Sequence, residues 1–243
     1  LIMLARSLET FAPHHAELRN RLIKIFVSIA LCSGAAYFFS KEIAAAFTAP
    51  LFAASPLIDK MVYTNLPEAF LSYLKLSILT GLVASFPVVL YQVWMFISPG
   101  LKKNEKKFGV LVVFWASLLF GAGGAFGFFS VLPKMLSYFM SYGSSSLEPL
   151  PKLGLYLAFV ARTILAFGLS FQIPFLMVMA GKGGLIKSSY FRKKRLYFYG
   201  AIVVLAFLLT AGDFMATGLL AGPLFLLYEA GIYLSLLFGR PPK

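Results

Sequence analysis

Glu105 is the single carboxylate in the basic run Lys102-Lys103-Asn104-Glu105-Lys106-Lys107, just beyond an apolar stretch that closes on Tyr91, Trp94 and Phe96. Those amphipathic aromatics favour a membrane–water interface. Between them and the charges stands Pro99-Gly100. Proline lacks the amide hydrogen a helix needs and glycine accepts turn dihedrals, so the chain breaks there. An acid at the lip of a membrane is placed to receive a cationic ligand. The four lysines oppose that reading by repelling a cation, unless they point toward anionic lipid headgroups. Glu17 and Arg21 are four residues apart, the favourable order for a helical ion pair worth about 0.2–0.5 kcal/mol. The alternative is that Glu17 joins Glu105 in facing a cationic peptide, because guanidinium pairs best with carboxylate through two parallel hydrogen bonds.

A second group of polar residues lies inside apolar runs. Gln172 is either a satisfied helix–helix hydrogen bond or a group facing a water-filled cavity, since polar groups at membrane depth are expensive. Asp213 follows Gly212 in a short break and reads as a solvated loop residue or a helix cap. Glu229 lies twelve residues into the last apolar run, within reach of an interface. Arg162, about two turns into its run, can snorkel outward as an anchor. Catalysis has no visible apparatus. The adjacent His14 and His15 do not share a helix face and carry no metal-ligand spacing. No P-loop, Rossmann fingerprint, nucleophile elbow or H-E-x-x-H is present, and no cofactor is expected.

The elements that must position these residues follow from composition. Of the 243 residues 60% are hydrophobic and 13% charged, with a mean hydropathy of +0.84. A soluble domain of this size could not hide so much apolar surface, so lipid is the solvent for most of it. The net charge of +13 does not indicate nucleic acid, because the basic residues sit in short clusters between apolar runs. Cys32, the one cysteine, can form neither an intramolecular disulfide nor a thiolate metal site. The predicted fold is an all-α integral membrane protein, a single membrane domain over residues 1–243. Six spans are expected at about 22–39, 72–97, 108–132, 154–180, 196–211 and 217–238. External caps fall at about 41–71 and 133–153, and basic loops at 98–107 and 181–195. The fifth run of about 16 residues covers roughly 24 Å, short of a hydrocarbon core of roughly 30 Å, and the sixth is also of modest length. Pro87 predicts a kink in the second span.

Orientation follows from the basic loops. Arg6, Arg19, Arg21 and Lys24, the four lysines around Glu105, the run Lys182 to Arg195, and Arg240 and Lys243 share one side, which makes both termini cytoplasmic. The first apolar run lacks a small-residue cleavage site and is expected to be a retained span. The chain opens at Leu1 rather than methionine, so residues are expected to precede it.

Several stretches together resemble TatC, the multi-spanning subunit of the twin-arginine protein translocase. They are E-L-R-N-R-L at Glu17–Leu22, A-P-L at Ala49–Leu51 and the block from Phe86 to Lys107. A-F-G-L-S-F-Q-I-P at Ala166–Pro174, L-L-T-A-G-D and L-L-Y-E-A-G at Leu226–Gly231 continue the likeness in order. The resemblance implies a six-helix, glove-shaped bundle in a bacterial inner membrane. It implies recognition of signal peptides with paired arginines on folded cargo, and transport driven by the proton motive force. On that basis Glu17, Arg19 and Glu105 match signal-recognition positions, while Phe96, Pro50 and Arg21 match positions important for function. The fifth span is expected to dock single-span TatA-like and TatB-like subunits in an oligomeric complex, with Gln172, Asp213, Thr217 and Glu229 as intramembrane polar or partner contacts. Two positions depart from the family pattern: Gln172 replaces a usual glutamate and Thr217 a common glutamine. A secondary transporter of small molecules is the rival reading. It would want a midplane site built from broken helices. Pro87 and Pro174 supply breaks, but the charges crowd the interfaces.

Overall fold

The structure, a computed structural model, describes residues 2–54, 58, 60–97, 109–142, 149–182, 188–210 and 212–238. These are helical almost throughout. The helices are α1 (Ile2–Phe38), α2 (Ser40–Ala54), α3 (Glu68–Ile97), α4 (Gly109–Phe126), α5 (Leu132–Met140), α6 (Leu153–Ser170), α7 (Gln172–Lys182), α8 (Ser188–Lys193), α9 (Arg195–Leu209) and α10 (Phe214–Phe238). Five stretches are long and apolar enough to cross a membrane: Ala16–Phe38, Glu68–Phe96, Gly109–Met140, Leu153–Gly181 and Ala216–Leu237. A sixth apolar helix, Arg195–Leu208, is shorter.

Local sequence explains where these helices begin and break. Ser40 opens α2, with Glu42 in its first turn where the helix dipole favours an acid. α3 starts directly after Pro67, whose fixed φ suits a helix start. It runs unbroken through Pro87. The third apolar stretch extends to Met140 rather than stopping near Leu132, so 133–140, expected within an external cap, is helical. A π-helical turn at Gly127–Val131 accounts for this: it resets the hydrogen-bond register so that Pro133 falls in the first turn of α5, where no amide donor is needed. Pro174 acts in the opposite sense. It cannot donate to the carbonyl of Ser170, so the fourth apolar stretch is interrupted at Phe171 between α6 and α7.

The chain divides into two compact units. The first comprises Leu1–Ile43 with Tyr73–Leu118. Here α1 and α3 approach so closely that a Cβ at Gly81 would collide with the backbone of Ser33. The ring of Trp94, near the end of α3, occupies the space a Cβ at Gly109 would need. Most side chains of Ala16–Phe38 are exposed, among them Phe26 and Leu31, as expected of a helix whose solvent is hydrocarbon.

The second unit comprises Ala44–Ser72 with Leu119–Lys243. Its core joins Val131, Met135, Phe167, Met177, Ile202, Ala206, Leu220, Leu224, Tyr228 and Ile232. Two of the connections expected as caps are tied together: Val62 N–H donates to the Pro151 carbonyl at 3.0 Å, and Leu153 N–H returns to the Val62 carbonyl at 3.0 Å. Tyr156 Oη donates to the Phe47 carbonyl at 2.9 Å beneath them. Glycines set the closest helix contacts. A Cβ at Gly231 would stand 2.6 Å from Met177 Sδ and 3.1 Å from Pro174 Cα, so α10 lies directly against α7. A Cβ at Gly123 would stand 2.5 Å from the Phe167 carbonyl oxygen, whereas one at Gly121 meets nothing within 4 Å. Gly123→Ala is therefore expected to destabilise the fold by about 1–3 kcal/mol through overpacking against an immobile backbone. Gly121→Ala should leave it unchanged, and thermal unfolding of the two purified variants in detergent reads the contrast.

Candidate functional site

The carboxylate of Glu17 is met by its own helix. Arg21 directs both Nε, at 3.1 Å, and Nη2 onto Glu17 Oε1. Both nitrogens converge on one carboxylate oxygen. Arg19, between them in sequence, is exposed. Phe96 is half-buried in the last turn of α3, within the same unit as Glu17. Glu105 and its lysines lie outside the described residues. Pro50 sits inside α2, half-buried, in the second unit.

The remaining polar residues fall into two separate arrangements, both in the second unit. The first closes the α9–α10 turn. Gly212, at φ +90°, supplies the left-handed turn residue that other side chains rarely adopt. Asp213 caps α10 by accepting the Ala216 amide at 2.6 Å, which favours the helix-cap reading of this residue. Thr217 is buried. Its hydroxyl donates to the Asp213 carbonyl at 2.5 Å and accepts from the Thr210 hydroxyl at 2.8 Å, for which the Ala206 carbonyl at 3.0 Å is the alternative acceptor. A hydroxyl at 217 thus closes a chain of hydrogen bonds across the turn.

The second arrangement surrounds Glu229. Arg195 Nη2 donates to Glu229 Oε2 at 2.5 Å, and Tyr199 Oη donates to Oε1. Both carboxylate oxygens are thereby engaged by α9, one turn apart. The neighbouring Tyr228 hydroxyl donates to the Phe191 carbonyl at 2.9 Å, and its ring stacks on Phe198 with centroids 5.0 Å apart. Arg195 and Tyr199 are the partners sequence reasoning missed. Arg195 closes the basic loop Lys182–Arg195 in sequence, and Glu229, twelve residues into the last apolar run, sits at a matching depth. Gln172 is buried at the Phe171 break, in the first turn of α7. Among the described residues no cluster of three histidine, cysteine or acidic side chains could hold a metal.

A multi-pass helical membrane protein is the class these features define. The sequence profile described as "Sec-independent protein translocase protein (TatC)" matches residues 13–223. The TatC of Desulforapulum autotrophicum is 36% identical over 230 residues, covering 95% of this chain and 85% of that protein. The TatC of Escherichia coli K12 is 33% identical over 222 residues, covering 91% and 86%. A crystal structure of the twin-arginine translocase receptor TatC superposes with a TM-score of 0.85 at 31% identity, over 93% of this chain and all of that one. The chain belongs to the TatC family.

The Thr210–Thr217 contact gives this region a direct test. In a double-mutant cycle of Thr210→Val and Thr217→Val, both nearly isosteric, the coupling energy is expected at about 0.6–1.7 kcal/mol, the range of polar contacts between membrane helices. Thermal unfolding in detergent measures it. Strict additivity would mean that the two hydroxyls do not depend on one another.

Proposed function

We propose that this chain is the signal-peptide receptor and core subunit of a twin-arginine translocase, supporting export of folded proteins driven by the proton motive force. The observation that carries this is the superposition on the receptor TatC along the whole of that chain. The proposed orientation places both termini in the cytoplasm of a bacterium and six spans in its inner membrane, α9 being the short fifth. TatA-like and TatB-like single-span subunits dock against α9, whose outward residues Leu196, Val204 and Leu208 are exposed apolar side chains.

Signal recognition is assigned to Glu17, Arg19, Phe96 and Glu105, with Arg21 as the residue that orients Glu17. The geometry of the first unit supports the grouping. α1 and α3 cross at Ser33 and Gly81. Glu17 lies sixteen residues before that crossing and Phe96 fifteen residues after it, so each stands roughly 23 Å along its helix. Successive spans run in opposite directions, which brings both residues to one face of the membrane. Arg21 pairs with one oxygen of Glu17 and so fixes the carboxylate that meets a guanidinium of the visiting peptide in this reading. Gln172 and Thr217 serve in this reading as intramembrane polar groups beneath the partner contact, hydrogen-bonding rather than titrating. Pro50 serves through the path of α2. Asp213 holds the α9–α10 turn, and Glu229 fixes α9 to α10.

Two measurements test the proposal. Expression of this chain in cells lacking their own TatC should restore export of a twin-arginine reporter; cytoplasmic retention of the reporter, with the protein present in the membrane, would refute the assignment. Glu105→Ala removes a charge-assisted contact worth roughly 1.5–3 kcal/mol, and should weaken crosslinking of a twin-arginine peptide about 10- to 150-fold.

A further inference from the structure

A groove of about 350 Å³ is lined by Tyr190, Lys194, Tyr197, Phe198 and Ala201. The five residues follow helical spacing, because α8 passes into α9 with little interruption: Lys194 N–H donates to the Tyr190 carbonyl at 3.0 Å and Phe198 N–H to the Lys194 carbonyl at 3.3 Å. The lining therefore changes character along one helical face. At one end stand the exposed cations Arg192, Lys193 and Lys194 with two tyrosines; at the other are the ring of Phe198 and the small Ala201, a turn and more into an apolar helix. The Lys194 ammonium lies 4.7 Å from the centre of the Tyr197 ring, and among the described residues it pairs with no carboxylate. A basic head, an aromatic belt and an apolar slot are the complement of an anionic amphiphile.

We propose that this groove binds one anionic phospholipid, its phosphate held at Lys194 between Tyr190 and Tyr197 and the start of an acyl chain lying along Phe198 and Ala201. The site rests only on the chain's spanning a membrane, and stands or falls separately from signal recognition. Ala201 gives the acyl chain its room. Tyr228, stacked on the inner side of Phe198 and bonded to the Phe191 carbonyl, keeps the back wall in place. The bound lipid covers an edge of α9 that the protein leaves open.

The test uses the full chain in phosphatidylethanolamine vesicles containing a trace of phosphatidylglycerol, or of phosphatidylcholine, with a photoactivatable group near the head of the acyl chain. Mass spectrometry maps the adducts. Phosphatidylglycerol should label residues 190–201 at least about fivefold more than phosphatidylcholine, the preference conferred by one cation at a membrane surface. Lys194→Gln should abolish that preference, Lys194→Arg should retain it, and Ala201→Trp should suppress labelling by both lipids. Excess inorganic phosphate should leave labelling unchanged. A preference that survives Lys194→Gln, labelling that survives Ala201→Trp, displacement by free phosphate, or a crosslink from position 201 to a protein neighbour in place of lipid would each overturn the proposal.

Discussion

A polar group inside hydrocarbon is expensive unless it finds a partner within the protein, and most described hydroxyls of this chain find theirs at short range, Ser33 and Thr80 being buried exceptions. Hydroxyl after hydroxyl donates to a carbonyl three or four residues earlier in its own helix, including those of Ser28, Thr48, Ser72, Ser77, Ser85, Ser117, Thr163, Ser170 and Ser235. Such bonds ask nothing of neighbouring helices, so packing is left to shape. Glycines and rings then determine which helices can touch, as at Gly81, Gly123 and Gly231. Carboxylates are handled both locally and across helices. Glu68 collects the amides of Thr64, at 2.8 Å, and Asn65, at 3.4 Å, ahead of α3, while Glu229 draws two donors from another helix.

The same constraint explains why breaks in the helices coincide with polar residues. Where Pro174 interrupts the fourth apolar stretch, Gln172 appears; where Gly212 turns the chain between α9 and α10, Asp213, Thr210 and Thr217 appear. An open carbonyl or amide at depth costs several kcal/mol, and a side chain that can donate and accept is the local remedy. The π-turn at Gly127–Val131 carries no such residue beyond Ser130, because the altered register leaves Pro133 where its missing amide does no harm.

What the sequence made legible followed from composition and period. Lipid as solvent, helices throughout, the breaks at Pro174 and Gly212, and the cap at Asp213 each have a one-dimensional cause: a run of apolar residues, a missing amide, a left-handed turn. The continuation to Met140 was hidden because proline normally reads as a stop, and the π-turn that makes Pro133 harmless has no comparable signature. The Glu229–Arg195–Tyr199 contact was hidden for a different reason. It joins residues 30 and 34 positions apart, and only the docking of α9 against α10 determines that depth matches depth. Glu17 shows the limit of pairing rules: the four-residue spacing anticipated its partner correctly, but that both nitrogens of Arg21 share one oxygen is a matter of rotamer.

The departure at position 172 bears on how this chain can use its interior. An ionised acid near a bilayer centre costs about 2.5–3.5 kcal/mol on insertion scales, and a protonated one must release that proton to signal anything. Gln172 is buried and does neither. Its amide is a hydrogen-bonding group that does not ionise at any physiological pH. Thr217 goes further in the same direction: its one hydroxyl is committed to Asp213 and Thr210. A proton-linked step in this protein cannot run through either residue.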